Sequence, residues 1–259
     1  MSILGECALS LENEKNAREK EEAAILAKNE QLRANLLRAI SHDLRTPLTS
    51  ISGNASNLIS NSNFFDEATK NQLYTDIYDD SMWLINLVEN LLSVTRIEEG
   101  RLNLHITEDL VDDVITEALH HVNRKSVEHH ITVRHKEDYL LAKMDAKLMV
   151  QVVINIVDNA IKYTPKGSNI LIKTWKQGDK AVISIADNGD GIPDEMKERV
   201  FDMFYSGANK VADSRRSLGL GLSLCRSIVN AHGGELVLRD CAPHGCHFRF
   251  TLPLSEVNL

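Results

Sequence analysis

Apolar residues recur at helical spacing through the first hundred residues, and this pattern constrains the fold more than any other feature. From Ile25 to Ile51 they follow at intervals of three, four and seven, which predicts one long amphipathic helix with a coiled-coil-like start. The segment Asn61–Asp66 interrupts it, and Asp66 can cap a second helix that Gly100 can end. Two helices cannot bury both stripes alone, whereas a four-helix bundle made by two copies can. The second stripe includes Leu73, Ile77, Leu84, Val88 and Leu91.

After Arg101 the pattern changes to a mixture of helical and extended segments, which predicts an α/β sandwich. The predicted helices are Val111–Val122, Ala146–Tyr163 (capped by Asp145) and Leu220–His232. The predicted strands are Ile131–His135, Ile170–Lys176, Lys180–Ala186, Glu235–Arg239 and His247–Leu252. The chain is therefore divided into an N-terminal signalling helix (1–30), a helical hairpin (31–100) and the α/β domain (101–259).

The composition limits the classes of protein to which the chain can belong. With 259 residues, 43% of them hydrophobic, the chain can bury a real core. Its net charge of −8 argues against nonspecific DNA binding. The sequence contains neither an apolar window long enough to span a membrane nor a signal peptide. We interpret the four unpatterned cysteines as reduced thiols of a cytoplasmic protein.

A histidine with unusual neighbours lies on the first predicted helix. His42 is followed directly by Asp43, and the hydroxyl of Thr46 comes one turn later. Pro47 has no N–H to bond to the carbonyl of Asp43, so the helix should loosen or bend beside the imidazole. A histidine that must meet a second active site needs such an arrangement, whereas a core histidine does not.

Three amides share one face of the helix predicted over Ala146–Tyr163. Gln151, Asn155 and Asn159 follow at intervals of four. Asn is a poor helix residue, and its neutral oxygen suits Mg²⁺ that phosphates and water also hold. The alternative is an amide ladder that bonds to the next element of the fold.

Two glycine-containing segments are compatible with a nucleotide pocket. Asp187 ends a predicted strand, and Gly189 and Gly191 allow a tight turn and the close approach of a flat ligand. The carboxylate could accept a hydrogen bond from an exocyclic amine such as that of adenine, although an ordinary Asx turn is common. Leu218–Leu222 opens a predicted helix whose first N–H groups could hold phosphate. Glycines at that spacing also serve tight helix–strand packing.

Four residues near the C-terminus have the composition of a metal cluster. They are Cys241, His244, Cys246 and His247. However, the segment from Gly245 alternates as a final strand, so Cys246 and His247 should face opposite ways. We therefore predict a strand here rather than a metal site.

The order of these segments resembles the sensor histidine kinases of bacterial two-component systems. The resemblance extends from about Leu32 to Leu254. The segments that resemble the H box, N box, first glycine box, F box and second glycine box are Ser41–Leu48, Asn155–Pro165, Asp187–Pro193, Phe201–Phe204 and Gly219–Leu222. The long run before the H box and the segment around Arg215 and Arg216, which resembles an ATP lid, look most similar to those of Kdp-type, potassium- or turgor-responsive kinases. It departs from the family at Ser217, where a glycine is usual, and at Asp43, where many members have glutamate.

The resemblance implies a dimeric four-helix bundle followed by the ATP-binding fold of gyrase and Hsp90, with ATP and Mg²⁺ as cofactors. It implies that His42 is phosphorylated, that Asp43 orients its ring, and that a response regulator receives the phosphoryl group. Thr46 resembles a residue that positions water for regulator dephosphorylation; alternatively, its hydroxyl bonds back to its own helical turn. Asn155 is implied to be catalytic, and Asn155 and Asn159 to hold the metal. The implied ATP-binding residues are Asn155, Asn159, Lys162, Tyr163, Asp187, Gly189, Gly191, Ile192, Phe204, Arg215, Arg216, Gly219, Leu220, Gly221 and Leu222.

Two other classes of protein compete with this interpretation. An ATPase of the same fold would form no phosphohistidine, and a degenerate kinase would act only as a dimeric adaptor. The H box and its helical hairpin argue against the first, and the intact motifs against the second. We further expect a homodimer without a nucleic-acid partner. It would be the cytoplasmic portion of a membrane-anchored bacterial sensor whose membrane segments lie outside this chain.

Overall fold

The computed structural model describes residues 40–41, 44–98, 104–122, 128–137, 139–203 and 219–255, together with residues 15, 20 and 205. They belong to two compact units, Met1–Leu84 and Ile85–Leu259. Apart from helical backbone at Lys15 and Lys20, the N-terminal helix predicted over residues 1–30 lies outside the described residues. The domain borders predicted near residues 30 and 100 stay predictions.

The helical hairpin begins in the first unit. Residues 44–61 form helix α1, which continues through Pro47. A 3-10 turn at Ser62–Phe64 follows, and helix α2 runs from Glu67 to Glu98, into the second unit. As predicted, Asp66 caps α2, because its Oδ1 accepts a hydrogen bond from the N–H of Thr69 at 2.8 Å.

Helix α2 carries two adjacent apolar stripes. Most of the predicted stripe is half-buried, namely Leu73, Ile77, Leu84 and Leu91. A second stripe remains between 46% and 57% exposed and consists of Tyr74, Tyr78, Ile85, Val88 and Leu92. Val88 therefore belongs to the exposed set rather than to the predicted one. The exposed stripe leaves apolar surface along most of the helix.

The second unit is built on a five-stranded sheet in the order β2-β4-β5-β7-β6. The β2–β4 pair is parallel, and the other pairs are antiparallel. A separate antiparallel pair joins β1 to β3. The strands are β1 (Thr107–Leu110), β2 (His130–His135), β3 (Leu141–Met144), β4 (Asn169–Gln177), β5 (Lys180–Asp187), β6 (Leu236–Asp240) and β7 (Cys246–Pro253).

Three helices cover one face of this sheet and form the core with it. They are α3 (Val111–His121), α4 (Ala146–Tyr163) and α6 (Gly221–Ala231); the short α5 (Asp194–Lys197) precedes α6. Helix α4 lies between α3 and α6 and buries Ile156 and Val157 completely. The predicted cap is present, because Asp145 Oδ1 accepts from the N–H of Leu148 at 3.3 Å. The α/β sandwich predicted from the sequence is confirmed.

Strands β1 and β3 were not predicted. Each is only four residues long, and they pair with each other from Thr107↔Met144 to Leu110↔Leu141. A segment of four residues is too short to show a recognisable alternation, so only the tertiary pairing reveals it. Elsewhere in this unit the predicted ends differ from the observed ones by at most one residue, as at α6, which begins at Gly221 instead of Leu220.

Candidate nucleotide-binding site

Helix α4 presents the predicted amides on one half-exposed face. Asn155 and Asn159 lie on it, and Lys162 follows in the next turn. The helix folds this way because its apolar residues, spaced for the opposite face, are buried against the sheet and the other helices. The side chains of Asn155, Asn159 and Lys162 therefore project from a helix that the core holds in place, and each of them is half-buried.

The Asp187 carboxylate is held at the end of β5. The residue is 8% exposed. Its Oδ1 accepts two backbone hydrogen bonds, from Gly189 N at 2.9 Å and from Cys246 N at 3.1 Å. Because both backbone donors use Oδ1, the other oxygen, Oδ2, keeps its capacity to accept a bond from a ligand.

The loop that follows Asp187 packs against the end of α4. A Cβ on Gly189 would lie 2.8 Å from the Cγ2 methyl of Thr164 and 3.5 Å from the carbonyl oxygen of Tyr163. A side chain at this position would therefore push the loop away from the helix. Gly191 has a φ of +80°, a conformation that residues with a side chain rarely adopt. Both glycines are thus needed for the path of this loop.

The start of α6 lies beside Asn155. A Cβ on Gly221 would lie 3.7 Å from both Cγ and Oδ1 of Asn155. The preceding Gly219 has a φ of +65°, and Leu220 between them is buried. No side chain caps this helix in the described part of the chain, so its first N–H groups can receive an anion. The following residue, Leu222, packs against the core.

A buried thiol lies beside the side chain of Asn155. Cys225 lies one turn into α6 and is fully buried. Burial raises the pKa of the Cys225 thiol to about 12, and the neighbouring Asn155 side chain opposes this rise only partly. The thiol therefore stays neutral at physiological pH. Its Sγ also lies 3.7 Å from the carbonyl oxygen of Val152, which ties α6 to α4.

Of the remaining predicted site residues, some lie in the described part of the chain and others do not. Tyr163 is 46% exposed, and its ring lies 5.3 Å from the Nζ of Lys162. Ile192 is half-buried in the loop after Asp187. In the first unit, Thr46 is exposed on α1. Outside the described residues lie His42, Asp43, Phe204, Arg215 and Arg216.

The segment that packs against the Asp187 loop and supports it was not predicted from the sequence. The turn between β6 and β7 lies against it, with Gly245 at Asp187 and His244 at Gly189. The sequence indicated His244 only as a candidate metal ligand. As predicted, Cys246 and His247 face opposite ways: Cys246 is adjacent to Asp187 and Asp240, whereas His247 Nε2 bonds with Ser184 Oγ at 2.7 Å. Gly245, the glycine before β7, is the one sequence signal that indicates a close approach of two backbone segments here.

Comparison with known protein families agrees with this arrangement. Residues 32–100 match the His Kinase A (phospho-acceptor) domain. Residues 144–256 match the histidine kinase-, DNA gyrase B- and HSP90-like ATPase family, which implies ATP binding. The chain belongs to the sensor histidine kinases.

Relatives of this histidine kinase chain include two Kdp sensor proteins. Sensor protein KdpD of Clostridium acetobutylicum is 41% identical over 252 residues, which is 97% of this chain and 28% of the relative. Sensor protein KdpD of Escherichia coli is 33% identical over 238 residues, covering 90% of this chain and 26% of the relative. The chain thus spans just over a quarter of the length of these proteins and is close to the Kdp type.

A solved structure has a similar fold to this histidine kinase chain. The histidine kinase ThkA in complex with the response regulator protein TrrA matches with a TM-score of 0.56 and 25% identity. The match covers 83% of this chain and 60% of the ThkA chain.

Proposed function

We propose that the chain transfers the γ-phosphoryl group of ATP to His42 and then to an aspartate of a response regulator. The observation that carries the proposal is the position of two glycine segments along α4. Gly189 lies against Thr164 at one end, and Gly221 lies beside Asn155. Because an α-helix rises 1.5 Å per residue, Thr164 and Asn155 lie about 13 Å apart along the axis of α4. This span suits an extended nucleoside triphosphate.

The adenine would bind at the loop after β5. Asp187 Oδ2 accepts a hydrogen bond from the 6-amino group of adenine, while Oδ1 stays bound to the backbone. Gly189, Gly191 and Ile192 line the base, because the two glycines leave the loop surface free of side chains there. Tyr163, exposed at the end of α4, borders the same region.

Asn155 and Asn159 fit a magnesium ion. Both present neutral amide oxygens from one half-exposed helix face, as suits Mg²⁺ that is also held by phosphates and water. The ion would offset charge on the phosphates when bound. The amide oxygen of Asn155 also lies close to Gly221. The magnesium ion and the N-terminus of α6 would therefore both bind at the phosphate end of the nucleotide.

The phosphates would be held by the start of α6 and by basic side chains. The uncapped N–H groups after Leu220 attract anions, and the helix dipole adds to this attraction. Lys162 supplies a positive charge from α4. We assign residues 205–217, with Arg215 and Arg216, to a lid over the ATP, and Phe204 to its near end.

In the transfer step, a ring nitrogen of His42 forms a bond to the γ-phosphorus, while the bond from that phosphorus to the β–γ bridging oxygen breaks and ADP leaves. Asp43 bonds the opposite ring nitrogen and fixes the reactive tautomer. Arg45, exposed on α1, can steady the charge in transfer. An aspartate of a receiver domain then takes the phosphoryl group from the histidine.

The exposed stripe of α2 supports a homodimer formed through the hairpin. Five large apolar residues at helical spacing would be covered by the same stripe of a second copy. We assign residues 1–30 to a signalling helix, 31–100 to dimerisation and phosphotransfer, and 101–259 to ATP binding. Among the helices of the described residues, none is both long and apolar enough to cross a bilayer. We propose that the whole protein is a bacterial sensor anchored by segments outside this chain.

One labelling experiment tests the kinase activity. The chain is incubated with ATP labelled at the γ-phosphate, and we expect label on the protein that acid removes and base does not. His42→Gln should abolish labelling and keep ATP affinity within a few-fold. His121→Gln is the control, because this exposed side chain of α3 bonds with Glu117, one turn earlier on the same helix. Release of labelled phosphate without labelled protein would indicate an ATPase. If neither labelled protein nor labelled phosphate forms, the chain acts as an adaptor.

Thr46 supports a second activity, the dephosphorylation of the regulator. It is exposed on α1. The spacing of four residues from His42 predicts that both share one helical face, where the Thr46 hydroxyl could hold a water near a phosphoaspartate. Thr46→Ala should keep most autophosphorylation and lose dephosphorylation of a pre-phosphorylated regulator in the presence of ADP. If Thr46→Ala dephosphorylates the regulator at the wild-type rate, the Thr46 hydroxyl has no role in that reaction and serves only its own helix.

A further inference from the structure

The turn between β6 and β7, residues 241–245, forms a support for the adenine loop, residues 187–193. The turn is closed by a hydrogen bond from Cys241 N to the carbonyl of Gly245 at 3.1 Å. Strand β7 continues directly from it and pairs with β5, which ends at Asp187. The turn and the loop therefore emerge side by side from neighbouring strands.

Gly245 brings the two backbones into direct contact. Its φ is +121°, and a Cβ there would lie 2.0 Å from the carbonyl oxygen of Asp187. No side chain fits in that space. The next residue, Cys246, donates its N–H to Asp187 Oδ1. The support turn thus fixes both the backbone and the carboxylate of Asp187.

His244 holds the other half of the loop. Its Nδ1 lies 2.8 Å from the carbonyl oxygen of Gly189. A carbonyl oxygen can only accept, so Nδ1 carries the proton in this bond. Gly189 is then fixed at both ends, because its N–H donates to Asp187 Oδ1 and its carbonyl accepts from His244.

We infer that His244 is a positioning residue for nucleotide binding: its ring anchors the Gly189 carbonyl and thereby sets the position of Gly189 relative to the Asp187 carboxylate. The inference rests on the proposed assignment of Asp187 to adenine. His244 itself does not touch the nucleotide. Its loss should weaken ATP binding and reduce the preference for ATP over GTP, because the loop that recognises the 6-amino group is no longer held.

The test compares His244→Ala with two amide variants. Asparagine can place an N–H donor where Nδ1 stands, whereas glutamine carries the same amide one bond farther out. We expect the ATP dissociation constant to rise about threefold to tenfold in His244→Ala, the range of one neutral hydrogen bond. His244→Asn should return most of the affinity, and His244→Gln should not. The KM for ATP should follow these changes, while kcat at saturating ATP stays near the wild-type value.

His121→Ala and Asp187→Asn are measured in parallel. His121→Ala should bind ATP like the wild type. Unchanged affinity in His244→Ala overturns the positioning role, and so do equal affinities in the asparagine and glutamine variants, a comparison that still holds if the alanine variant does not fold. Unchanged affinity in Asp187→Asn, with a loss in His244→Ala, instead overturns the adenine assignment.

Discussion

Asp187→Asn tests the adenine site most sharply, because the structure fixes which way the new amide must face. Oδ1 accepts backbone hydrogen bonds from Gly189 and Cys246, at 2.9 and 3.1 Å. An asparagine keeps both bonds only by placing its oxygen there, which turns its NH2 group toward the ligand. A donor then meets the 6-amino donor of adenine.

The magnitude follows from the lost interaction. A hydrogen bond to a charged group contributes about 1.5–3 kcal/mol, so the ATP dissociation constant should rise by roughly 10-fold to 150-fold. The fold should be nearly unaffected, since both backbone bonds remain. Titration calorimetry with ATP and thermal unfolding of the same variant measure these two quantities.

A second nucleotide makes the assay specific. Inosine triphosphate carries a carbonyl oxygen in place of the 6-amino group and can accept from the introduced amide. The ratio of inosine triphosphate affinity to ATP affinity should therefore rise in the variant relative to the wild type. Wild-type ATP affinity, or an unchanged ratio between the two nucleotides, would refute the proposed role of Asp187.

Three further predictions concern the metal, the dimer and the outer face of the sheet. Asn159→Ala should weaken ATP binding by about tenfold in the presence of Mg²⁺ and change it little in EDTA. An equal loss of affinity in both conditions would show that Asn159 does not hold the metal. Replacing Ile85 and Leu92 of the exposed stripe together by glutamate should give monomers in sedimentation, because unpaired charge would be buried in the bundle; an unchanged dimer would move the interface elsewhere. Burial and the charges of Arg249, Arg239 and Lys173 lower the pKa of His247 from 6.5, so the unfolded chain binds more protons below that pH. The free energy of unfolding should therefore fall as the pH is lowered from about 7 to about 5, and less so in His247→Gln; parallel pH curves in urea unfolding would contradict this.

Local spacing predicted the parts of the site that belong to one element. Asn155 and Asn159 share a helix face because four residues make about one helical turn. Asp187 could be placed at a strand end because alternation stops there. The contact of Gly189 with Thr164 and that of Gly221 with Asn155 join segments distant in the chain, so no periodicity contains them.

The same limit applies to His244, which lies 55 residues after the glycine whose carbonyl it holds. Its neighbours in the sequence indicated a possible metal cluster, because composition alone cannot tell which way a side chain faces. The antiparallel register of β5 with β7 brings the turn beside the loop.

The sequence by itself determined the hairpin, the α/β domain and the order of the motifs, since helix and strand periods and turn residues are local properties. Only the tertiary structure decided which apolar stripe of α2 is half-buried and which stays exposed, and which turn supports the adenine loop. Periodicity shows that a face is apolar but does not show what covers it. That depends on packing between elements distant in the chain, whose geometry is set by the whole core.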